Sequence, residues 1–278
     1  MILAGMLGID ALACIEPSFA SLTDPGIADL FLSLPADAAK LVIDEHEEPL
    51  ALAVHTPDGW WATHFVFRPA TFGLIGLAEE LDAEIYQESR SEWAAGLREY
   101  YSRALQADVA PAVEDTRPGR DAEIRDLVAE VWNDHAGRTC IDGCCGSGIA
   151  SAVLRQLGYR TLAFDNDPAL LSLGLARGRL LPEDTLWIDG TEASVFCPPA
   201  DRAVGLMLGD IQPFTAGIWE AIVGELLALS EETLFSAATE PEIRMIGAWC
   251  SAQKRTTRIF EHERDLIYDR WVCVATRE

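Results

Sequence analysis

The second half of the sequence predicts an α/β fold, with a doubly wound, mixed sheet that ends in an antiparallel hairpin. Short apolar runs alternate there with helical stretches, a rhythm typical of parallel strands with helices packed between them. The stretch Ala110–Arg120, which carries two prolines, a glycine and mixed charge, precedes this alternation and is typical of a linker. Two β-rich runs close the chain with no helical stretch between them, so we expect them to pair antiparallel.

Residues 1–115 are expected to form a mainly helical domain with one β-hairpin. The segment 25–39 predicts short helices. Two apolar runs, Leu50–His55 and Trp60–Phe67, flank a Thr-Pro-Asp-Gly turn and predict the hairpin. Apolar residues recur near helical spacing over Gly73–Gln106, which predicts a long helix.

Residues 121–278 are expected to form the second domain. In chain order the predicted elements are helix Ala122–Asp134, strand Thr139–Asp142, helix Ile149–Leu157, strand Thr161–Asp165, helix Pro168–Leu180, strand Leu186–Ile188, strand Ala203–Leu208, helix Thr215–Leu229, strand Thr233–Ala238, helix Glu242–Gln253, and the closing strands Thr256–His262 and Trp271–Thr276.

The charge of the chain disfavours nucleic acid as a partner. Its 45 acidic and 21 basic residues give a formal net charge of -24, with most of the excess in the first half. Nucleic-acid affinity depends mainly on Lys and Arg that neutralise phosphates, and this balance is the opposite. The alternative interpretation is that the high negative charge simply keeps the protein soluble.

The cysteines and the N-terminus predict a cytoplasmic protein without a metal site or a membrane partner. Seven cysteines, an odd number, are scattered through apolar runs without a CxxC pair or a Cys/His cluster of zinc spacing. The apolar stretch Met1–Ile15 has no basic start and is interrupted by Asp10, so it resembles neither a signal peptide nor a membrane span.

The strongest chemical signal is the segment Cys140–Gly148, with the sequence CIDGCCGSG. A strand ends in the acid Asp142, a loop of small residues follows, and a helix starts at Ile149. Small residues let the backbone approach a ligand, and a helix N-terminus presents unpaired N–H groups. We interpret the segment as the binding loop for a nucleotide-type cofactor, with an ordinary tight turn as the alternative.

A second acid, Asp165, follows Asp142 by 23 residues, after one helix. This spacing places Asp165 at the tip of the neighbouring strand, where a carboxylate can accept hydrogen bonds from both hydroxyls of a ribose. Asp165 could instead cap the helix that Pro168 opens, but Asp167 is better placed for that.

These motifs resemble those of the class I, Rossmann-like, S-adenosylmethionine-dependent methyltransferases. The first family motif, an apolar strand with an acid and a Gly-rich loop, appears as IDGCCGSG; the second is the acid at Asp165, and the third is an acid after the third strand, matched by Asp189. The closing strand pair is similar to the family's terminal hairpin. The resemblance implies S-adenosylmethionine as the cofactor, bound by Asp142, Cys144, Gly146, Gly148, Asp165, Asn166, Asp189 and Gly190. Within the family the second acid holds the ribose, and the third contacts the adenine amino group.

Two departures from the family pattern bear on activity. Cys144 replaces the usual first glycine of the loop. Amino-methylating members carry an Asn/Asp-Pro-Pro-aromatic motif after the fourth strand, whereas here the stretch Leu208–Phe214 keeps only a polar residue, one proline and an aromatic. Asp210 and Gln212 still fall where the methyl acceptor is expected, so they are the candidate catalytic residues, Asp210 as the base or orienting group. An ordinary turn residue is the alternative for Asp210.

The sequence therefore predicts a methyltransferase that acts on a protein or a small molecule, with residues 1–115 covering the site and selecting the substrate. A methyltransferase-like binding subunit without activity is the first alternative, because the loop and the acceptor motif are altered. A nicotinamide-dependent oxidoreductase is the second alternative. Its G-x-G-x-x-G fingerprint needs a glycine at the third position, and reading from Gly143 the loop has Cys145 there.

Overall fold

The computed structural model describes residues 2–114, 116–265 and 267–277. The chain divides into two compact units, residues 1–104 and 105–278. The division lies earlier than the expected linker because Leu105, near the end of a long helix, is buried with Leu171 and Leu175 of the second unit, and the Ser172 hydroxyl donates to the Val109 carbonyl at 2.8 Å.

The described residues of the first unit form five strands and four α-helices. In chain order they are α1 (Ile2–Met6), β1 (Ala13–Cys14), α2 (Ile27–Leu32), β2 (Ala38–Ile43), β3 (Pro49–Thr56), β4 (Gly59–His64), α3 (Phe72–Glu80), β5 (Glu84–Gln87) and α4 (Arg90–Asp108), the last of which continues into the second unit. The strands form one sheet in the order β1-β4-β3-β2-β5.

The sheet corrects the expectation of a mainly helical domain with one hairpin. The predicted hairpin is present as β3 and β4, which pair antiparallel from Thr56 opposite Gly59 to Ala51 opposite His64. Strands β1, β2 and β5 were not predicted from the sequence. One hydrophobic core of the unit lies among α2, α3 and the sheet and includes the fully buried Phe31 and Val54.

The predicted helix over Gly73–Gln106 is also wrong, since the chain is broken there into α3, β5 and α4. After α3 the backbone of Asp82 takes a positive φ of 49°, which ends the helical path. Residues 84–87 then pair parallel with β2. Sheet hydrogen bonds and the burial of Trp93 and Leu97 on α4 outweigh the local helical pattern.

The second unit begins with the end of α4 and alternates helices and strands. Its elements are α5 (Arg120–Val131), β6 (Thr139–Gly143), α6 (Ile149–Gln156), β7 (Arg160–Asp165), α7 (Pro168–Ala176), β8 (Thr185–Trp187), α8 (Ala193–Phe196), β9 (Ala200–Gly205), α9 (Ala216–Leu229), β10 (Ser230–Ala237), α10 (Glu240–Ala252), β11 (Arg255–Glu261) and β12 (Trp271–Arg277). Every helix and strand predicted after residue 120 is present, with ends that move by a few residues.

In the part of this unit that the structure describes, seven strands form one mixed sheet in the order β11-β12-β10-β9-β6-β7-β8. β8, β7, β6, β9 and β10 pair parallel, and β12 pairs antiparallel with both β10 and β11. The last two strands therefore form the expected antiparallel pair. One hydrophobic core of this unit lies against α5 and α6, where Leu127, Val128 and Leu154 are fully buried.

Local chemistry explains where the central helices begin. The Asp167 carboxylate accepts hydrogen bonds from the backbone N–H groups of Ala169 and Leu170, and Pro168 occupies the first turn of α7. Gly148, with a φ of 72°, precedes the first residue of α6. Among the described residues, no helix combines the length and apolarity that a membrane span requires.

Candidate functional site

The parallel strands of the second unit end at one edge of the sheet, and β6 is the strand at which their order reverses. β7 and β8 lie on one side of β6, while β9 and β10 lie on the other. In open α/β sheets, ligands bind in the crevice at the carboxyl ends of the strands next to such a reversal. A ligand site is therefore expected at the loop that follows β6.

That loop, residues 143–148, turns sharply over the strand end. Cys144, Gly146 and Gly148 all have positive φ values, of 54°, 53° and 72°. Cys144, which replaces the usual glycine, thus adopts the backbone conformation that glycine favours. For a residue with a side chain this conformation costs energy that glycine would not incur. The Cys145 N–H donates to the Phe164 carbonyl at 3.0 Å and fastens the loop to the end of β7.

Close packing holds the rear of the loop against α7. A Cβ atom on Gly148 would lie 2.5 Å from the Leu180 side chain, and one on Gly174 would lie 2.8 Å from the Ser147 carbonyl oxygen. Neither distance is compatible with a side chain. The front of the loop is open by comparison, because a Cβ atom on Gly146 would meet only a methyl group of Leu170, at 3.9 Å.

Asp142 lies beneath the loop rather than on its open face. Its side chain is 1% exposed, and the Ser151 hydroxyl of α6 donates to its Oδ2 at 2.5 Å. Burial raises the pKa of Asp142 to about 7, although the hydrogen bond from Ser151 opposes that shift. In this position Asp142 holds the loop and α6 together, and nothing in the structure brings it to the open face where the resemblance would place a cofactor contact.

Asp165 ends β7 beside the loop, as the spacing predicts. Its Oδ2 accepts the Gly146 N–H at 2.7 Å, and its Oδ1 accepts the Asp167 N–H at 2.8 Å. Burial raises its pKa, and these backbone hydrogen bonds oppose the shift. Each carboxylate oxygen can accept more than one hydrogen bond, so Asp165 keeps capacity for a hydroxyl-bearing ligand. The cap of α7 comes from Asp167, so the capping alternative for Asp165 is wrong.

The third acid, Asp189, is exposed just beyond β8. Its Oδ1 accepts hydrogen bonds from the Thr191 N–H and hydroxyl, at 2.9 and 2.8 Å. Gly190 behind it is buried, and a Cβ there would lie 3.2 Å from the Phe164 ring, so this glycine serves packing. Asn166 is exposed next to Asp165, and its carbonyl accepts the indole N–H of Trp187 at 3.1 Å.

The candidate catalytic residues lie on the segment after β9, at the same edge of the sheet. The Gln212 side-chain amide donates to Asp210 Oδ1 at 3.0 Å, and both residues are exposed. Asp210 has a positive φ of 56°. The Ile211 N–H donates to Glu242 of α10 at 3.2 Å, which ties the segment to the next helix. The structure therefore brings Asp210 and Gln212 into contact with each other, and its hydrogen bonds do not join either of them to the Gly-rich loop.

Two residues at this edge escaped the sequence analysis. Ser151 lies on α6, nine residues after Asp142, and gives that acid its hydrogen bond. Trp187 is 42% exposed and bridges the ends of β7 and β8 through Asn166. The usable signal for the second was its place in the sequence, two residues before the strand-end acid Asp189.

No protein-family model and no curated protein matches the sequence. The chain is similar in structure to magnesium protoporphyrin IX methyltransferase (ChlM) from Synechocystis PCC 6803 with bound SAM, at 18% identity and a TM-score of 0.47 over 66% of this chain and 91% of that one. It is similar to precorrin-6y C5,15-methyltransferase from Geobacter metallireducens GS-15, at 12% identity and a TM-score of 0.46 over 62% and 95%. A third similar structure is DesVI from Streptomyces venezuelae, at 12% identity and a TM-score of 0.47 over 58% and 92%.

The strand order of the second unit defines its fold. Its first strand, β6, is central, the next two strands lie on one side, and β9 and β10 lie on the other. β12 is inserted antiparallel between β10 and β11 and completes the terminal hairpin. Residues 105–278 have the Rossmann-like fold of the class I S-adenosylmethionine-dependent methyltransferases.

Proposed function

We propose that the protein is an S-adenosylmethionine-dependent methyltransferase that acts on a protein or a small molecule. The observation that carries this proposal is the 2.7 Å hydrogen bond from the Gly146 N–H to the Asp165 carboxylate. It joins the open face of the Gly-rich loop to the acid at the neighbouring strand tip. A nucleoside cofactor needs these two features side by side.

The residues present fit such a cofactor. Asp165 has acceptor capacity for ribose hydroxyls, and the open space over Gly146 leaves room for the ligand backbone to approach. Cys144 and Asn166 would line the same crevice, whereas Gly148, which was also predicted to bind the cofactor, packs against Leu180 at the rear of the loop. Asp189 uses only Oδ1 in its described hydrogen bonds, so Oδ2 is available to an adenine amino group. Asp142 would contribute indirectly, by holding the loop.

S-adenosylmethionine supplies an activated methyl group, so the protein's main task is to position the acceptor. Asp210 would orient or deprotonate the acceptor, and Gln212 would hold the Asp210 carboxylate through the hydrogen bond already present. The net charge of -24 favours a protein or small molecule, including a basic one, over nucleic acid. A substrate-selecting role for residues 1–115 stays a prediction.

Calorimetric titration with S-adenosylmethionine and S-adenosylhomocysteine tests the cofactor. We expect saturable 1:1 binding that weakens at least about tenfold in Asp165→Ala and Asp165→Asn, because hydrogen bonds to a charged group contribute about 1.5–3 kcal/mol. Asp167→Asn is the matched control, since it removes a neighbouring charge but keeps the helix cap and should leave affinity nearly unchanged. Failure of the folded wild-type protein to bind either compound would refute the proposal.

A non-catalytic binding subunit is the second candidate, and one observation favours it. Asp210 and Gln212 are exposed and bonded to each other, so neither candidate catalytic residue is a buried polar group poised for an acceptor. Formation of S-adenosylhomocysteine, measured with candidate acceptor proteins and amines, separates the two. Turnover that Asp210→Asn reduces while cofactor affinity stays constant supports the enzyme; cofactor binding without turnover on any acceptor supports the binding subunit.

A further inference from the structure

The sheet of the first unit has an open edge at β5. This strand is the last on its side of the sheet, and among the described residues no strand pairs with its outer side. Three of its four residues are exposed, and only Tyr86 is partly buried. An edge strand presents unpaired backbone N–H and C=O groups, with which another extended chain can form hydrogen bonds. The edge is therefore accessible to a partner.

The pairing with β2 determines which backbone groups of this edge are free. The N–H of Glu88, directly after β5, donates to the Ile43 carbonyl of β2 at 3.0 Å. The backbone groups of successive residues in a strand point alternately to its two sides. Tyr86 therefore also faces β2, whereas the N–H and C=O groups of Ile85 and Gln87 point away from it. These outward groups are the donors and acceptors that a further strand would use.

The side chains of β5 give the two faces of the edge different chemistry. Ile85 is 66% exposed and lies opposite Leu41 of β2, which packs against the core formed with α2 and α3. Glu84 lies on the other face, opposite Lys40. Its carboxylate accepts a hydrogen bond from the Lys40 ammonium at 2.7 Å, yet its side chain remains 64% exposed. A strand added here would meet apolar surface on one face and a carboxylate on the other.

The charge around β5 limits what the partner can be. Residues 79–88 contain five acids and no Lys or Arg. Lys40 beside the strand and Arg90 after it are already paired, with Glu84 and Asp44. A second copy of β5 would bring like charges opposite one another, which destabilises a strand pair. The edge therefore favours a basic segment over another copy of this chain.

We propose that β5 is a docking edge for an extended, basic protein segment in which apolar residues alternate with Lys or Arg. The apolar residues would pack beside Ile85, the basic residues would pair with Glu84 and the neighbouring acids, and the backbone would bond to Ile85 and Gln87. A period of two suits both faces, because successive side chains of a strand point to opposite sides. This inference depends neither on the cofactor nor on methyl transfer.

Fluorescence anisotropy of labelled synthetic peptides with the full chain tests the proposal. The probe is a peptide of about eight residues in which Lys and Val alternate, as the period of a strand requires. One comparison peptide has the same residues in two blocks, and another alternates Glu and Val. We expect saturable binding of the alternating Lys peptide, at least about fivefold weaker binding of the block peptide, and no binding of the Glu peptide. An increase in KCl from about 0.1 to about 0.5 M should weaken the binding, because salt screens exposed charges.

Substitutions at Gln87 separate backbone pairing from general attraction to an acidic surface. Gln87→Pro removes an outward N–H and leaves the hydrogen bonds to β2 in place, and an edge strand tolerates proline at such a position. We expect it to weaken the alternating Lys peptide about threefold to tenfold, the effect of one lost hydrogen bond. Gln87→Ala is the matched control, because it removes the same side chain but keeps the N–H, and it should leave the affinity nearly unchanged. Thermal unfolding establishes that both variants are folded.

A second pair of variants tests the apolar contact and the charge. Ile85→Lys removes the exposed apolar side chain from the edge and adds a positive charge, so we expect at least about tenfold weaker binding of the alternating Lys peptide. Leu30→Lys is the control. It adds the same charge in place of an apolar side chain on α2 that is 53% exposed, and it should change the affinity little.

The proposal is overturned if the alternating Lys peptide does not bind, or if it binds no more tightly than the block peptide. Equal affinities of Gln87→Pro and Gln87→Ala, or of Ile85→Lys and Leu30→Lys, would also overturn it, because the contact would then lie elsewhere on an acidic surface. Sedimentation of the protein without peptide tests the other occupant: a dimer that Gln87→Pro dissociates would assign the edge to a second copy of this chain. None of these measurements involves S-adenosylmethionine, so a failure here leaves the proposed function untouched.

Discussion

The carboxyl group of Asp142 is buried at the end of β6, with the Ser151 hydroxyl as its hydrogen-bond donor. In the folded chain its pKa is raised to about 7 from its ordinary value of 3.8, chiefly because burial disfavours the charged form. A carboxyl whose pKa is raised on folding favours the folded state at low pH, where it is protonated in both states. That contribution is lost as the pH rises through the pKa of the folded state.

Replacement of Asp142 by Asn should therefore remove a pH-dependent cost. We expect the unfolding free energy of Asp142→Asn, relative to wild type, to increase between about pH 4 and pH 7.5, by up to roughly 4 kcal/mol for a shift of about three pKa units. Asn keeps an acceptor for the Ser151 hydroxyl. Denaturant unfolding of both proteins across this range is the measurement; a difference that does not vary with pH would contradict the burial of a titrating carboxyl.

At the scale of elements, α7 holds the rear of the Gly-rich loop in place. Gly174 lies within α7 and lets the Ser147 carbonyl and the Leu180 side chain approach the helix backbone. Arg179 then reaches the Ser147 hydroxyl at 3.1 Å and forms an ion pair with Glu114. The rear of the loop is thereby fixed by packing and hydrogen bonds, while its front remains open.

Gly174→Ala should destabilise the protein although alanine favours helix. The new Cβ would lie 2.6 Å from Leu180 and 2.8 Å from the Ser147 oxygen, and overpacking of this kind costs about 1–3 kcal/mol. Gly217→Ala in α9 is the control, because its Cβ meets nothing within 4 Å and helix propensity alone should stabilise by about 1 kcal/mol. Thermal and denaturant unfolding test the pair; stabilisation by both substitutions would show that the loop yields easily.

For the whole molecule, the net charge of -24 is the dominant electrostatic feature. Many arginines are engaged in ion pairs, among them the buried Arg202 with Asp134 and Glu232. The surplus carboxylates repel one another in the compact state more than in the extended chain. Because salt screens exposed charges separated by more than about 10 Å at 0.1 M, this repulsion should weaken as ionic strength rises.

We expect the midpoint of thermal unfolding to rise as KCl increases from about 0.05 to about 0.5 M. NaCl at equal concentrations is the control, and the two salts should give the same curve if screening is the cause. A midpoint that stays constant or falls would mean that the ion pairs lost to screening outweigh the relieved repulsion.

Local patterns determined most of the second unit. The alternation of apolar runs with helical stretches predicted its strands, because a buried parallel strand and an amphipathic helix each leave a distinct periodicity. The run of small residues in 143–148 predicted the loop, and the spacing of Asp165 from Asp142 predicted the acid at the neighbouring strand tip. These features depend on residues close in sequence, and the structure shows them where they were expected.

Long-range contacts decided the rest. β5 forms within a helical pattern because β2 offers it hydrogen bonds from 44 residues away in sequence. The enclosure of Asp142 depends on Ser151 and the packing of α6, and Arg120 pairs with Asp269, 149 residues further along the chain. Spacing along the chain does not show which distant residues come into contact. The sequence determined which chemical groups are available, and the tertiary structure decided which of them are buried, paired or open to a ligand.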